Sequence, residues 1–199
     1  MERIALTDQP AAARSEPGKM EPDGRAILLG LRARDRSALG ELAEGFGAAL
    51  ARAAYLYLGD AGLAADAAQE AMIAAWDGAP RTGETTRLRP WIFGILFNRA
   101  RKISRTESRR RSRERKSAAE RPREAVAGDD GLDRDERLEA LRRALARLEA
   151  ASREVIILRY ERGLGVAEAA EALGVPEGTV KSRTHAALAR LRLEMERNP

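Results

Sequence analysis

An all-α chain of two small helical units is what this sequence predicts, and three observations carry the prediction. Apolar residues recur at helical spacing, and β-branched residues nowhere alternate over the length of a strand. Residues 166–191 read VAEAAEALGVPEGTVKSRTHAALARL, which describes a short amphipathic helix, a tight turn and a second helix. Between the two apolar-rich stretches the charge changes abruptly. Residues 101–125 hold eleven Lys or Arg against four Glu, after which Asp129, Asp130, Asp133, Asp135 and Glu136 reverse the sign.

Taken in order, residues 1–22 mix Pro, Ala, Ser and both charges without a period, the composition of a disordered tail. Residues 23–106 carry a helical pattern broken by turn signals at Gly59-Asp60-Ala61-Gly62 and in a loop over 77–89. Seven of the eight aromatic residues lie here, Phe46, Tyr55, Tyr57, Trp76, Trp91, Phe93 and Phe97, so this unit is expected to hold the larger core. Residues 107–136 then read as a flexible charged linker. In residues 137–196, Leu138, Leu141, Leu145 and Leu148 mark one helix and the apolar run from Val155 to Leu158 the next. The helix-turn-helix follows, so the second unit is a four-helix module.

Within that motif Val166, Ala169, Ala170 and Leu173 form the stripe of the first helix, and Gly174 stops it. Pro176 suits a first helical position, so the second helix starts at Pro176 or Glu177. Val180, Thr184, Ala187, Leu188 and Leu191 share its inner face. The outer face presents Lys181, Ser182, His185, Ala186 and Ala189, small and basic residues that fit a major groove. A solvated helical hairpin is the competing reading, and the Gly-x-Pro turn with a basic second helix favours DNA.

Net charge of +5 and an isoelectric point near 10.0 favour a polyanionic partner. The chain has no cysteine, which excludes disulfides and thiolate metal sites. No apolar run approaches the roughly 20 residues that cross a bilayer, and no signal-peptide core is present, so a soluble, cytoplasmic protein without membrane insertion is expected. No nucleophile set or phosphate loop points to an enzyme, a cofactor or a small-molecule substrate. His185 is the only histidine, so no metal site is expected.

The helix-turn-helix resembles the fourth conserved region of bacterial RNA polymerase sigma factors of the extracytoplasmic-function (ECF) type, within the sigma-70 family. The residues that carry the likeness are Arg153, Glu154, Leu158, Gly163, Glu168, Ala170, Leu173, Gly174, Pro176, the run Gly178-Thr-Val-Lys-Ser-Arg183, His185 and Leu191. Independently, Asp66-Ala-Ala-Gln69-Glu70 with Met72, Ile73, Ala75 and Trp76 is similar to the polymerase-binding helix of region 2. Trp91-Ile-Phe93, Ile95 and Asn98 are similar to the helix that engages the minus-ten element.

The resemblance implies a transcription initiation factor that binds core RNA polymerase and promoter DNA and assists melting, with an anti-sigma factor as a further partner. It implies that Asp66, Gln69 and Glu70 face the polymerase, a pattern whose i, i+3, i+4 spacing suits a basic partner helix. Asn98, Arg87, Arg89, Trp91 and Lys102 are the implied minus-ten set, although both Trp residues read better as scaffold than as stacking platforms. Lys181, Ser182 and His185 are expected on the bases of the minus-thirty-five element, with Thr179 and Arg183 placed for phosphate. Departures from the family pattern are Ala186 where arginine is common, Gly165 where a hydroxyl caps the helix, and Lys102 where aspartate is frequent. The basic stretch from Arg109 to Lys116 is either a solubilising linker or a contact to spacer-DNA phosphates. Stand-alone operator binding by a dimeric regulator is the alternative function.

Overall fold

The computed structural model describes residues 24–117 and 132–197, and among these the chain forms helices joined by short turns, with no strand. The expected tail over 1–22 lies outside the described residues, as do Asp129 and Asp130. The helices are α1 (Gly24–Arg32), α2 (Arg36–Leu58), α3 (Ala61–Gly78), α4 (Leu88–Ser117), α5 (Leu132–Ala146), α6 (Ala150–Ile156), α7 (Val166–Leu173) and α8 (Glu177–Arg197).

Local chemistry sets the breaks between them. The Asp35 carboxylate accepts from the Ser37 amide at 2.9 Å and starts α2. Gly59, at φ 74°, ends α2, its amide donating to the Tyr55 carbonyl at 2.8 Å. Asp60 at once caps α3 by accepting from the Leu63 amide. The turn signal at Gly59-Asp60 is therefore the stop of one helix and the start of the next. Buried Ala64, Ala67, Ala68, Ala71 and Ala75 line the inner face of α3 and allow close packing against α2 and α4.

α4 supplies much of the core, with Leu88, Ile92, Phe93, Leu96, Phe97 and Ala100 all buried. It then runs on as helix to Ser117, eleven residues into the segment that composition marked as linker. Its backbone is about 45 Å long.

In the C-terminal group α6 passes into a π-helical turn over Ile157–Glu161. Arg153 closes the end of α5, donating to the carbonyls of Leu145, Ala146 and Leu148, and also reaches the Tyr57 carbonyl on α2 at 2.8 Å. α7 ends at Gly174, φ 65°, and α8 begins at Glu177, as the sequence predicts. Gly165 caps α7 without a side chain, and the Glu168 carboxylate compensates by accepting from its amide at 2.8 Å.

The two groups share one continuous core. Tyr55 donates to Glu139 at 2.7 Å, Arg52 pairs with Glu161, and Arg101 reaches the buried Glu154 at 3.1 Å. The closest approach is between α4 and α7. A Cβ added to Gly94 would lie 2.6 Å from the Ala172 carbonyl oxygen, so only glycine permits this crossing without a shift.

Candidate nucleic-acid interface

Along α8 the two faces separate cleanly. Val180, Thr184, Ala187 and Leu188 are buried, and the Thr184 hydroxyl donates to the Val180 carbonyl at 2.8 Å, so its polarity is satisfied within the helix. Lys181, Ser182, His185, Ala186 and Ala189 are exposed, and Thr179 and Arg183 are half-buried at the edge. Behind Arg183 sits Glu154, only 2% exposed. Burial pushes its carboxyl up, and the charges of Arg101 and Arg183 together with a hydrogen bond from Tyr57 pull the other way. One group on α6 therefore faces cations from both α4 and α8.

The second set of expected DNA contacts has a different setting. Arg87, Trp91, Gly94, Asn98 and Arg101 follow one another along one side of the α4 region, and α7 lies against that side. Arg87 donates from Nε to Glu171 at 3.1 Å and lies 3.7 Å from Glu168. Its hydrogen bond to Glu171 raises an already high guanidinium pKa. Arg89 donates to the Arg162 carbonyl, and the Asn98 amide oxygen accepts from Arg101. Lys102 is exposed. Trp91 is half-buried, packs on the core and lies against Gly78, which fits scaffold better than base stacking. Arg32 ties the preceding loop down by bonding Thr82 at 2.9 Å and the Gly83 carbonyl. A groove of about 670 Å³ opens beside it, lined by Arg25, Arg87, Arg89, Phe93, Arg162 and Glu168.

On α3, Asp66, Gln69 and Glu70 are exposed together, with Arg99 3.9 Å from Glu70. Ile73 shares this face and is 55% exposed. It is among the residues that carry the likeness to the polymerase-binding helix but was not named as a contact, although its place three and four residues after Glu70 and Gln69 is the available signal. Such an apolar centre with an acidic rim has the anatomy of a protein-docking face. Among the described residues no group of three His, Cys, Asp or Glu could hold a metal ion. No described helix is long and apolar enough to cross a membrane.

An all-helical fold that carries a helix-turn-helix and an exposed acidic helix face fits the class of DNA-directed transcription factors. Comparison with known proteins narrows it. The family model for sigma-70 region 2 matches residues 42–111 and that for sigma-70 region 4 matches 138–191. The ECF RNA polymerase sigma factor SigL of Mycobacterium tuberculosis is 34% identical over 177 residues, spanning 86% of this chain and 96% of that protein. The sigma factor NccH of Alcaligenes xylosoxydans xylosoxydans is 35% identical over 163 residues, 79% of this chain and 86% of that protein.

Among solved structures, CnrH in complex with the cytosolic domain of CnrY shares the fold at a TM-score of 0.70 and 24% identity, over 88% of this chain and 99% of that one. The sigma factor RpoE of Bartonella quintana, in complex with the anti-sigma factor NepR, aligns at a TM-score of 0.58 and 25% identity, over 87% of this chain and 94% of that one. The chain belongs to the ECF RNA polymerase sigma factors. Sigma factors are non-enzymatic initiation factors that act with core polymerase. The stand-alone operator-binding regulator is accordingly not favoured.

Proposed function

We propose that this sigma factor reads two promoter elements with two faces that differ in availability. Lys181, Ser182 and His185 on α8 contact bases of the minus-thirty-five element, with Thr179 and Arg183 on phosphates. Asn98, Arg87, Arg89 and Lys102 engage the melted minus-ten strand, with Trp91 holding the loop beside it. Asp66, Gln69 and Glu70, centred on Ile73, dock on core polymerase.

The observation that supports this reading most directly is the exposed set on α8 opposite an inner face built on buried Val180, Thr184, Ala187 and Leu188. The α4 face carries a further consequence. Glu168 and Glu171 pair with the half-exposed Arg87 and α7 covers Gly94, while Asn98 and Lys102 stay exposed, so α7 and a DNA strand compete at the Arg87–Gly94 end of this surface. Holoenzyme assembly must therefore draw the C-terminal group off α4 before the minus-ten strand is read. A separate anti-sigma protein, as in the RpoE and NepR complex, is a natural partner for the closed arrangement.

The test is transcription by purified core polymerase on a pool of genomic fragments, with the wild-type chain and an Asn98→Ala/Lys181→Ala variant. Discrete starts with the wild type and their loss with the variant are expected. Starts that persist unchanged with the variant would overturn the assigned reading faces.

A further inference from the structure

Asn98 ends in an amide, and an amide can read a base in two senses. Its nitrogen donates two hydrogens and its carbonyl oxygen accepts. Used together on adenine, the two ends bond the ring N7 and the exocyclic amino group at once. Which sense is available in this chain depends on what already holds the amide.

Arg101 holds it. The two residues stand three apart on α4, so their side chains meet on one side of the helix. Nη2 of Arg101 donates to Oδ1 of Asn98. A guanidinium carries donors only, so the oxygen of the amide, and not its nitrogen, turns toward Arg101. The other arm of Arg101 is fixed as well, because Nη1 donates at 3.1 Å to Glu154, which is only 2% exposed. Asn98 itself is exposed, and its amide nitrogen makes no hydrogen bond among the described residues.

The two ends of the amide are therefore unequal. Oδ1 keeps a second lone pair, but a base amino group that reached for it would bring its own partial positive charge against the guanidinium. Nδ2 meets no such opposition. A base carbonyl or ring nitrogen that accepts from it is also drawn by the cation alongside.

We propose that Arg101 is a specificity-determining positioning residue, which commits Asn98 to donate and so selects a minus-ten base for an acceptor while giving no advantage to an amino group. The inference rests on the assignment of Asn98 to that strand. The bond to Asn98 lies within α4, so it survives when the C-terminal group and Glu154 are drawn away. Adenine loses most, because its two-point reading needs both ends of the amide. Guanine, whose O6 and N7 both accept, loses nothing. An arginine that only touched phosphate would add affinity with no such preference.

The experiment uses holoenzyme assembled from core polymerase and the full chain. Its DNA is a promoter fragment recovered from the genomic pool by its transcript and remade as a fork, with the minus-ten segment single-stranded so that melting does not enter the affinity. Each base of that segment is varied in turn for the wild type, Asn98→Ala, Arg101→Leu and Arg101→Lys. Leucine matches arginine in helix propensity, and far-ultraviolet dichroism checks the fold. The position where Asn98→Ala flattens the preference is the one Asn98 reads. At that position the wild type is expected to bind adenine no better than purine, the same ring system without the amino group. In Arg101→Leu adenine gains about tenfold over purine, the scale of one good base contact. Arg101→Lys still donates across the helical turn and keeps the wild-type order of bases.

A wild type that favours adenine over purine overturns the proposal, as does a base order that Arg101→Leu leaves unchanged. An equal loss of affinity for every base in Arg101→Leu, with a shallower salt dependence, also overturns it and marks Arg101 as a phosphate contact. If Asn98→Ala alters the preference at no position, the assignment of Asn98 fails and this inference with it. A preference that depends on Asn98 and is indifferent to Arg101 removes only the role of Arg101.

Discussion

The helices α8 and α4 carry the two candidate reading faces, and they solve the same problem in opposite ways. α8 buries Val180, Thr184, Ala187 and Leu188, with Leu191 half-buried, and leaves Lys181, Ser182 and His185 exposed, so its candidate DNA face is presented in the free protein. α4 is packed on its apolar side by the N-terminal core and on its reading side by α7, through Gly94 and the Arg87 carboxylate pairs. The difference teaches that a surface can be assembled and still be spent on an internal partner. A strand that engages Arg87 competes with Glu168 and Glu171 for it, and one that approaches Gly94 meets α7, whereas Asn98 and Lys102 are exposed.

The comparison breaks most sharply at Gly94. An alanine there places a methyl group 2.6 Å from the Ala172 carbonyl oxygen while improving the helix propensity of α4. Overpacking costs about 1–3 kcal/mol, and this cost falls on the α4–α7 contact. Gly94→Ala is expected to raise the affinity of the free chain for a single-stranded minus-ten oligonucleotide about tenfold or more, measured by fluorescence anisotropy. Next in size, Lys181→Ala is expected to weaken duplex minus-thirty-five binding about tenfold, the scale of one good base contact. It leaves the single-strand affinity untouched, which shows that the two faces act separately.

Acid sharpens the comparison from another side. Glu139, which joins α5 to Tyr55 on α2, has its carboxyl lowered to about 2, chiefly by hydrogen bonds from Arg142. A carboxylate held below its unfolded value of 4.5 contributes stability that is complete above that pH and is lost as pH falls toward 2. The attachment of α5 to α2 is therefore expected to weaken between those limits, and Glu139→Gln to flatten this part of the acid-unfolding curve. The smallest effect is expected from Glu171→Arg. The Arg87–Glu171 pair is exposed, so its reversal is worth under about 1 kcal/mol and raises single-strand affinity by only a few fold.

What the sequence made legible was whatever depends on local chemistry. Gly59 with Asp60, and Gly174 with Pro176, are stops and starts whose physics lies in two or three residues. The inner and outer faces of α8 follow from its period alone. What stayed hidden depends on partners far along the chain. Glu154 reads as an ordinary surface charge until Arg101, Tyr57 and Arg183 converge on it. Gly94 and Ala172 are unremarkable small residues until α7 meets α4. The arginine-rich segment after Ile103 reads as a linker by charge. Yet Arg, Lys and Glu are good helix formers, and extending α4 needs no new nucleus. The π-helical turn over Ile157–Glu161 left no local signal at all.

The central claim is that α7 and the minus-ten strand exclude one another on α4. The chain has no cysteine, so Glu41→Cys on α2 and Leu193→Cys on α8, both exposed positions, accept a donor and acceptor dye without interference. Energy transfer would be measured on the free chain, after addition of core polymerase, and in the Gly94→Ala background. The account predicts a single high-transfer state in the free wild type, a low-transfer state on polymerase, and a mixture in free Gly94→Ala. One transfer efficiency shared by the free chain, the promoter-bound holoenzyme and the variant would contradict it.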